Sequence, residues 1–251
     1  MQDKKLVSYE EKKLVDIDCI DANKNIFLQQ IMKFFEQIAD KHSSLLGVNN
    51  PVIIEKNNLC WVITKLKIEV DSVPKLYDEI DVKTIIHKPS LIKFDRDFVI
   101  SKNGAVMVNG YSEWCLLDVD TRKVAKADKI SYPLDGYSEK PQRMYSNFVY
   151  ENMALLNSYE YTVKFCDLDL NFHLNNTQYA IIVQNLFDPD FWSKKDIKSF
   201  EIKFLNESVY NDKIMVKNFK VEDDKFYIEA YNTTKDKLSF KAEIIFCDKE
   251  G

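Results

Sequence analysis

The chain has 251 residues, of which 45% are hydrophobic and 30% charged, enough apolar material for one large core or two ordinary ones. Only 5 Gly and 6 Pro stand against 13 Tyr and 16 Phe, which excludes a low-complexity or disordered chain and favours extended, packed structure. A formal net charge of -5 removes any general electrostatic pull toward nucleic acid, and no apolar run reaches the length of a membrane span or a signal-peptide core, so a soluble cytoplasmic protein is expected.

In chain order, Leu6 to Ile17 reads as a strand, and Ile31, Phe34, Phe35 and Ile38 then recur at helical spacing until Gly47, a normal helix stop. Strand alternation comes after it: Leu66, Ile68 and Val70 against Lys67, Glu69 and Asp71; Ile80, Val82 and Thr84 against Asp81 and Lys83. Two long runs come next, Arg96 to Ser101 and Ala105 to Val119, joined by a turn at Lys102-Asn103-Gly104. Pro133 to Asn157 is a connection. Beyond it, Tyr159 to Phe165 reads as a strand, Asn175 or Asn176 caps a helix whose apolar face is Tyr179, Ile182, Val183 and Leu186, and three or four strands complete the pattern. Those strands are Phe200 to Phe204, with Glu201 and Lys203 alternating to solvent, Ile214 to Val221 paired with Phe226 to Asn232, and Leu238 to Phe246.

The same order of elements occurs twice, which implies an internal duplication. Strand, long helix and antiparallel strands wrapped on that helix is the hotdog arrangement, so the expected class is α+β, a tandem or double hotdog. The expected boundaries are residues 1–135 for the first unit, 136–157 for a linker and 158–251 for the second unit.

Asp169, Asn171 and His173 bring a carboxylate, an amide and an imidazole to one side of an extended segment, since residues two apart project alike. Together they supply what hydrolysis needs: a group to activate water, a donor for an oxyanion and a proton relay near neutrality. Asp21-Ala22-Asn23-Lys24-Asn25 stands at the matching place before the first helix, with Asn25 where the second copy has His173, so one copy reads as live and the other as structural. The five cysteines, Cys19, Cys60, Cys115, Cys166 and Cys247, are scattered and include no C-x-x-C pair, which disfavours disulfides and zinc. Cys166 reads as a core strand residue, His42 as a helix-end residue near terminal carbonyls, and His87 as a loop residue.

Asp167-Leu168-Asp169-Leu170-Asn171-Phe172-His173-Leu174-Asn175-Asn176, with Tyr179 and Glu207, resembles the acyl-ACP thioesterases. In the first half the resemblance rests on Phe27 to Gly47, Trp61-Val62-Ile63, Arg96-Asp97-Phe98, Ser112-Glu113-Trp114, Leu117-Asp118 and Thr121-Arg122. It implies an active site of Asp169, Asn171, His173 and Glu207, with no cofactor or metal. Plant members often have a cysteine after the glutamate; here that position is Ser208, which favours direct attack by water. On this reading Glu207 is the base, His173 orients water or carbonyl, Asp169 fixes the imidazole's tautomer and Asn171 serves the oxyanion, although sequence leaves open which carboxylate faces the water. Counting from Phe200 puts Glu207 on the solvent side of its strand unless Asn206 breaks the register.

Phe27, Ile31, Phe34 and Phe35 are first a core stripe, and the resemblance implies that the N-terminal half also shapes an acyl tunnel. It further implies acyl carrier protein as partner, docked on Lys or Arg at the mouth, with no nucleic acid and no membrane, in a monomer or homodimer. Two other readings stay open: an acyl-CoA thioesterase, and an acyl-binding hotdog module that does not turn over its ligand.

Overall fold

The computed structural model describes residues 7–131, 137–138, 145–151 and 153–249. The first unit contains β1 (Ser8–Leu14), α1 (Leu28–Leu45), α2 (Asn50–Asn57), β2 (Leu59–Val70), β3 (Glu79–Ile86), β4 (Phe94–Lys102), β5 (Ala105–Asp118) and a short β6 (Val124–Ala125). The second contains β7 (Ala154–Thr162), α3 (Gln178–Gln184), α4 (Pro189–Lys194), β8 (Lys195–Phe204), β9 (Lys213–Glu222), β10 (Lys225–Asn232) and β11 (Lys237–Asp248). They form one 11-stranded sheet in the order β1-β3-β4-β5-β2-β8-β11-β10-β9-β7, with β6 on β5. The order reads the same from both ends, as a duplicated hotdog requires.

α1 exists because Leu28, Ile31, Met32, Phe35 and Ile38 fall on one face, and all are buried at 3% exposure or less. Phe35 stacks on Phe98 of β4 with centroids 4.4 Å apart and lies on Gly110 of β5, where any Cβ would collide with its ring. Gly47, at φ +69°, ends the helix region in the left-handed conformation that favours glycine.

The units join where Lys65–Glu69 of β2 pair with Ser199–Lys203 of β8. That pairing stops at Lys65, beside a register shift between Ile63 and Lys65 in the β2–β5 ladder, and residues 59–63 pair with β5 but with no second strand among the described residues. The continuous sheet therefore splits beside β2, and the split opens the interior. Residues 145–150 cross the outer face: Ser146 N donates to both oxygens of Glu201 at 2.9 and 3.0 Å, Lys203 Nζ lies 4.4 Å from the Phe148 ring centroid, and Tyr150 hydrogen-bonds Glu243. Glu201 and Glu243, in alternation with the apolar strand positions, are consequently buried rather than solvated, and burial pushes both carboxyls up.

Several elements depart from expectation. Pairing of β7 starts at Ala154, inside the stretch expected as linker, and stops at Thr162; much of the rest of that linker lies outside the described residues. α2 has no counterpart in the sequence reading, because its one buried residue, Ile53, makes no stripe. The second helix is not long: α3 spans seven residues, since Pro189 holds Asp188 extended and Asp188 then caps α4 by accepting from Phe191 N at 2.8 Å. No helix of the described residues is long and apolar enough to cross a membrane.

Candidate active site

The loop ahead of α3 is organised by one carboxylate. Asp169 Oδ1 accepts from the N–H of Asn171 at 2.7 Å and of His173 at 3.1 Å, while Asp169 N donates to His173 O at 2.8 Å. Phe172 takes φ +61° to close the turn, and Leu168 bridges Leu174. The segment is a turn and not the extended run expected, yet Asp169, Asn171 and His173 all line the cavity while Leu170 and Phe172 point outward, 99% and 71% exposed. One expected role changes. Asp169 Oδ1 is spent on the backbone, so it shapes the loop that carries the imidazole, and the contact of His173 Nε2 is to Glu207 Oε2 at 3.4 Å.

Glu207 reaches His173 because β8 ends at Phe204 in a bulge. The N–H groups of Leu205 and Asn206 both donate to Ser239 O, at 3.0 and 3.1 Å, which resets the alternation and brings Glu207, its side chain 40% exposed, to the cavity wall beside His173. Its other oxygen forms an ion pair with Arg122, from the turn after β5 in the first unit. Ser208 is fully buried, its hydroxyl 3.2 Å from Ser239 Oγ and accepting from Asn232 Nδ2 at 3.2 Å, so it belongs to the polar packing under the site.

Two cavities meet here. The larger, about 590 Å³, lies at the split in the sheet and is lined by His173, Glu207, Arg122 and Cys60 with apolar side chains such as Val62, Leu117 and Phe204. The smaller, about 220 Å³, runs beneath α1 into the first unit and is lined by Glu36, Ser43, Asn49, His87, Asp95, Arg96, Trp114 and others. Trp61, Asp169, Asn171 and Asn176 belong to both walls. Burial, helped by the charge of Asp169 and opposed by a hydrogen bond from Asn176, pushes the Glu36 carboxyl up to about 7. Burial pushes the Cys60 thiol up as well, with nearby Arg122 opposing, which disfavours a thiolate nucleophile.

Sequence reasoning assembled Asp169, Asn171, His173 and Glu207 and missed Glu36, Arg122 and Cys60. Arg122 sat in a stretch that carried the family resemblance; Glu36 had no local signal, being a polar residue beside a core stripe. Ile31, Phe34 and Phe35 are core residues outside both cavity linings, and Phe27 is 38% exposed. From the same helix the smaller cavity takes Glu36, Ala39, Asp40 and Ser43 instead. His42 stands in the last turn of α1 as expected, but its ring is 2% exposed and its Nδ1 lies 3.3 Å from Arg96 Nη1, so the side chain belongs to a buried network. His87, expected in a loop, is 4% exposed with Nε2 2.9 Å from Asp97 Oδ2. Cys166 is exposed in a short 3-10 turn, not packed in a strand core.

Residues 6–131 match the acyl-ACP thioesterase N-terminal domain and residues 150–248 the acyl-ACP thioesterase C-terminal domain. The chain is 25% identical over 203 residues to acyl-[acyl-carrier-protein] hydrolase FATB3 of Cuphea viscosissima, covering 75% of this chain and 49% of that protein. It is 22% identical over 229 residues to oleoyl-acyl carrier protein thioesterase 2 of Arabidopsis thaliana, covering 82% and 61%. The chain thus spans about half the length of the first relative. In fold it is similar to the crystal structure of an acyl-ACP thioesterase from Bacteroides thetaiotaomicron, with a TM-score of 0.85 over 96% of this chain and 98% of that one at 22% identity. The 12:0-ACP thioesterase from Umbellularia californica gives 0.77 over 97% and 98% at 14% identity. With both halves matched in order by the family's two domains, the chain belongs to the acyl-ACP thioesterase family.

Proposed function

We propose that this protein hydrolyses an acyl thioester carried on acyl carrier protein, releasing the free acid and the carrier thiol. The observation that carries this reading is the meeting of Glu207 and His173, 3.4 Å apart, at the split in the sheet where the two cavities join. A thioester carbonyl seated at Asn171 has acid–base groups on one side and a channel into the first unit on the other.

In the proposed reaction Glu207 takes a proton from water as its oxygen adds to the carbonyl carbon. The resulting oxyanion is met by the side-chain amide of Asn171. Collapse breaks the carbon–sulfur bond, and the proton held on the Glu207–His173 pair passes to the departing thiolate. Arg122 holds one oxygen of Glu207 and so aims the other at His173. Asp169 acts through the loop it braces. Because β2 and β8 join the two units within one chain, a single copy completes the site.

The test is turnover of one acyl chain on acyl carrier protein and on CoA by the wild type and by Glu207→Gln. The wild type is expected to favour the carrier protein, and the variant to lose roughly 10²–10⁴-fold in kcat while remaining folded. Undiminished turnover by Glu207→Gln would remove Glu207 as the base, and equal use of CoA would remove the carrier protein as the specific partner.

A further inference from the structure

We propose that the carrier protein docks on an apolar rim at the mouth of the larger cavity, in place of the Lys or Arg patch expected from the sequence; the proposal rests on the acyl-thioester reading above. Ile54 of α2, Val119 after β5 and Leu205 after β8 line that cavity, and each is also more than a third exposed. Leu170 and Phe172 add two outward, exposed side chains on the turn that carries Asn171 and His173.

The fold does not require apolar groups here, because the first unit builds the same two loops with other side chains. Leu170 and Phe172 correspond to the exposed Ala22 and Lys24, in turns with the same backbone hydrogen bonds. Leu205 corresponds to the exposed Asp71: the N–H groups of Asp71 and Ser72 both donate to Met107 O, at 2.9 and 3.1 Å, as those of Leu205 and Asn206 do to Ser239 O. The copy that bears His173 and Glu207 thus shows water a large apolar side chain at three places where the other shows a methyl, an ammonium and a carboxylate. Such groups gain free energy when a partner covers them.

The substrate decides which partner that is. A cavity of about 590 Å³ admits a tethered thioester and not a folded protein, so a carrier that presents its thioester to Glu207 has to rest on the rim. Arg122 is paired with Glu207 and Lys235 with Asp212, and the exposed Lys56 and Lys123 stand beside Glu55 and Asp120, which leaves no surplus of positive charge to hold an anionic lipid surface. The five side chains offer on the order of 500 Å², below the roughly 800 Å² per partner of a stable complex. That extent suits a carrier that leaves after each turnover better than a second copy of this chain.

The test measures kcat/KM for one acyl group on the carrier protein and on N-acetylcysteamine, a short thiol, with the wild type and with the double variant Leu170→Ala/Phe172→Asn. Asn readily adopts the left-handed backbone of position 172, and the first unit makes the same turn with Ala22. The variant is expected to lose about tenfold or more on the carrier substrate, as removal of an aromatic anchor does, and to stay within about threefold on the short thioester. An unchanged value on the carrier substrate, or equal losses on both, overturns the proposal. So does a dimer, or binding to anionic vesicles, that the variant abolishes while its carrier kinetics hold, since the rim would then belong to a second copy or to lipid. A wild type that hydrolyses neither substrate would sink the hydrolase reading instead. Calorimetry with the carrier bearing a non-hydrolysable acyl amide then decides docking alone: binding about tenfold weaker in the variant supports it, and equal binding or none overturns it.

Discussion

The loop before α1 and the loop before α3 share one backbone design and carry different side chains. Asp21 Oδ1 accepts from Asn23 N at 2.8 Å and Asn25 N at 3.0 Å, as Asp169 Oδ1 does from Asn171 and His173 at 2.7 and 3.1 Å. Asp21 N donates to Asn25 O at 2.8 Å, matching Asp169 N to His173 O at 2.8 Å, and Lys24 at φ 62° matches Phe172 at φ 61°. The residues just after the two loops also correspond: Ile26 N reaches Pro74 O as Leu174 N reaches Ser208 O, which places Val73 where the second copy has Glu207. The first loop therefore lacks both the imidazole and the carboxylate opposite it. Its amides hold the units together instead, Asn25 Nδ2 donating to Asp196 Oδ1 at 2.9 Å and Asn23 Nδ2 to Trp192 O at 3.1 Å.

The interiors are reversed. The first unit keeps the smaller cavity beneath its helix, whereas the second packs five aromatic rings together. The C-terminal loop carries the imidazole that meets Glu207, and the N-terminal unit carries the smaller cavity. This division explains why the site sits at the junction and why Arg122 and Glu36, both from the first unit, reach residues of the second.

The largest expected effect comes from erasing the difference between the loops. His173→Asn gives the second loop the residue of the first, and the backbone bonds to Asp169 are independent of that side chain. Turnover should fall by roughly 10²–10⁴-fold with the denaturation midpoint nearly unchanged. Adding chemistry to the other loop, as Asn25→His with Val73→Glu, should create no activity, because neither position lines either cavity. Stopped assays of free acid release on all three proteins check both statements. Wild-type turnover by His173→Asn would show that the imidazole is dispensable.

Much of this was legible because it is local. The Asp-x-Asn-x-His spacing fixes its own turn, and the stripe from Ile31 to Ile38 fixes its own helix, so both could be read from the chain, as could the duplication. Other features depend on contacts distant in sequence. The parity of Glu207 was open until the bulge at Leu205 and Asn206 resolved it, and that bulge is set by Ser239 on a different strand. Glu201 reads as solvent-facing and is buried because residues 145–150 cross over it. Glu36 lies at a polar helix position, and only the packing of α1 beside the second loop makes it part of the site.

Glu36 supplies the next test of the comparison. Aligned on the two loops, its counterpart in α3 is Gln184, so Glu36→Gln makes the helices alike at this position. Its carboxyl is raised to about 7 in the folded protein, chiefly by burial. The folded state thus holds this proton more tightly than the unfolded chain, and its contribution to stability falls as pH rises from the ordinary carboxyl range through about 7, then levels off. Relative to wild type, Glu36→Gln should gain up to on the order of 3 kcal/mol between pH 4 and pH 8. Urea denaturation of both proteins across that range measures it. A stability difference that does not change with pH would mean that Glu36 does not titrate there.

The smallest effect separates architecture from chemistry most cleanly. Asp21→Ala and Asp169→Ala each remove an acceptor shared by two backbone N–H groups of an identical turn, so each should cost about 1–3 kcal/mol of stability, and the two costs should be similar. Their effects on turnover should differ. Loss of Asp21 loosens a loop that holds the units together and should leave kcat within about threefold, a drop worth well under 1 kcal/mol. Loss of Asp169 frees the backbone that aims His173 at Glu207, and kcat should drop by more than about tenfold, since misplacement of a reacting group is costly even when the group is present. Equal losses of activity in the two variants would mean that the N-terminal loop takes part in the reaction, and the division between the halves would have to be redrawn.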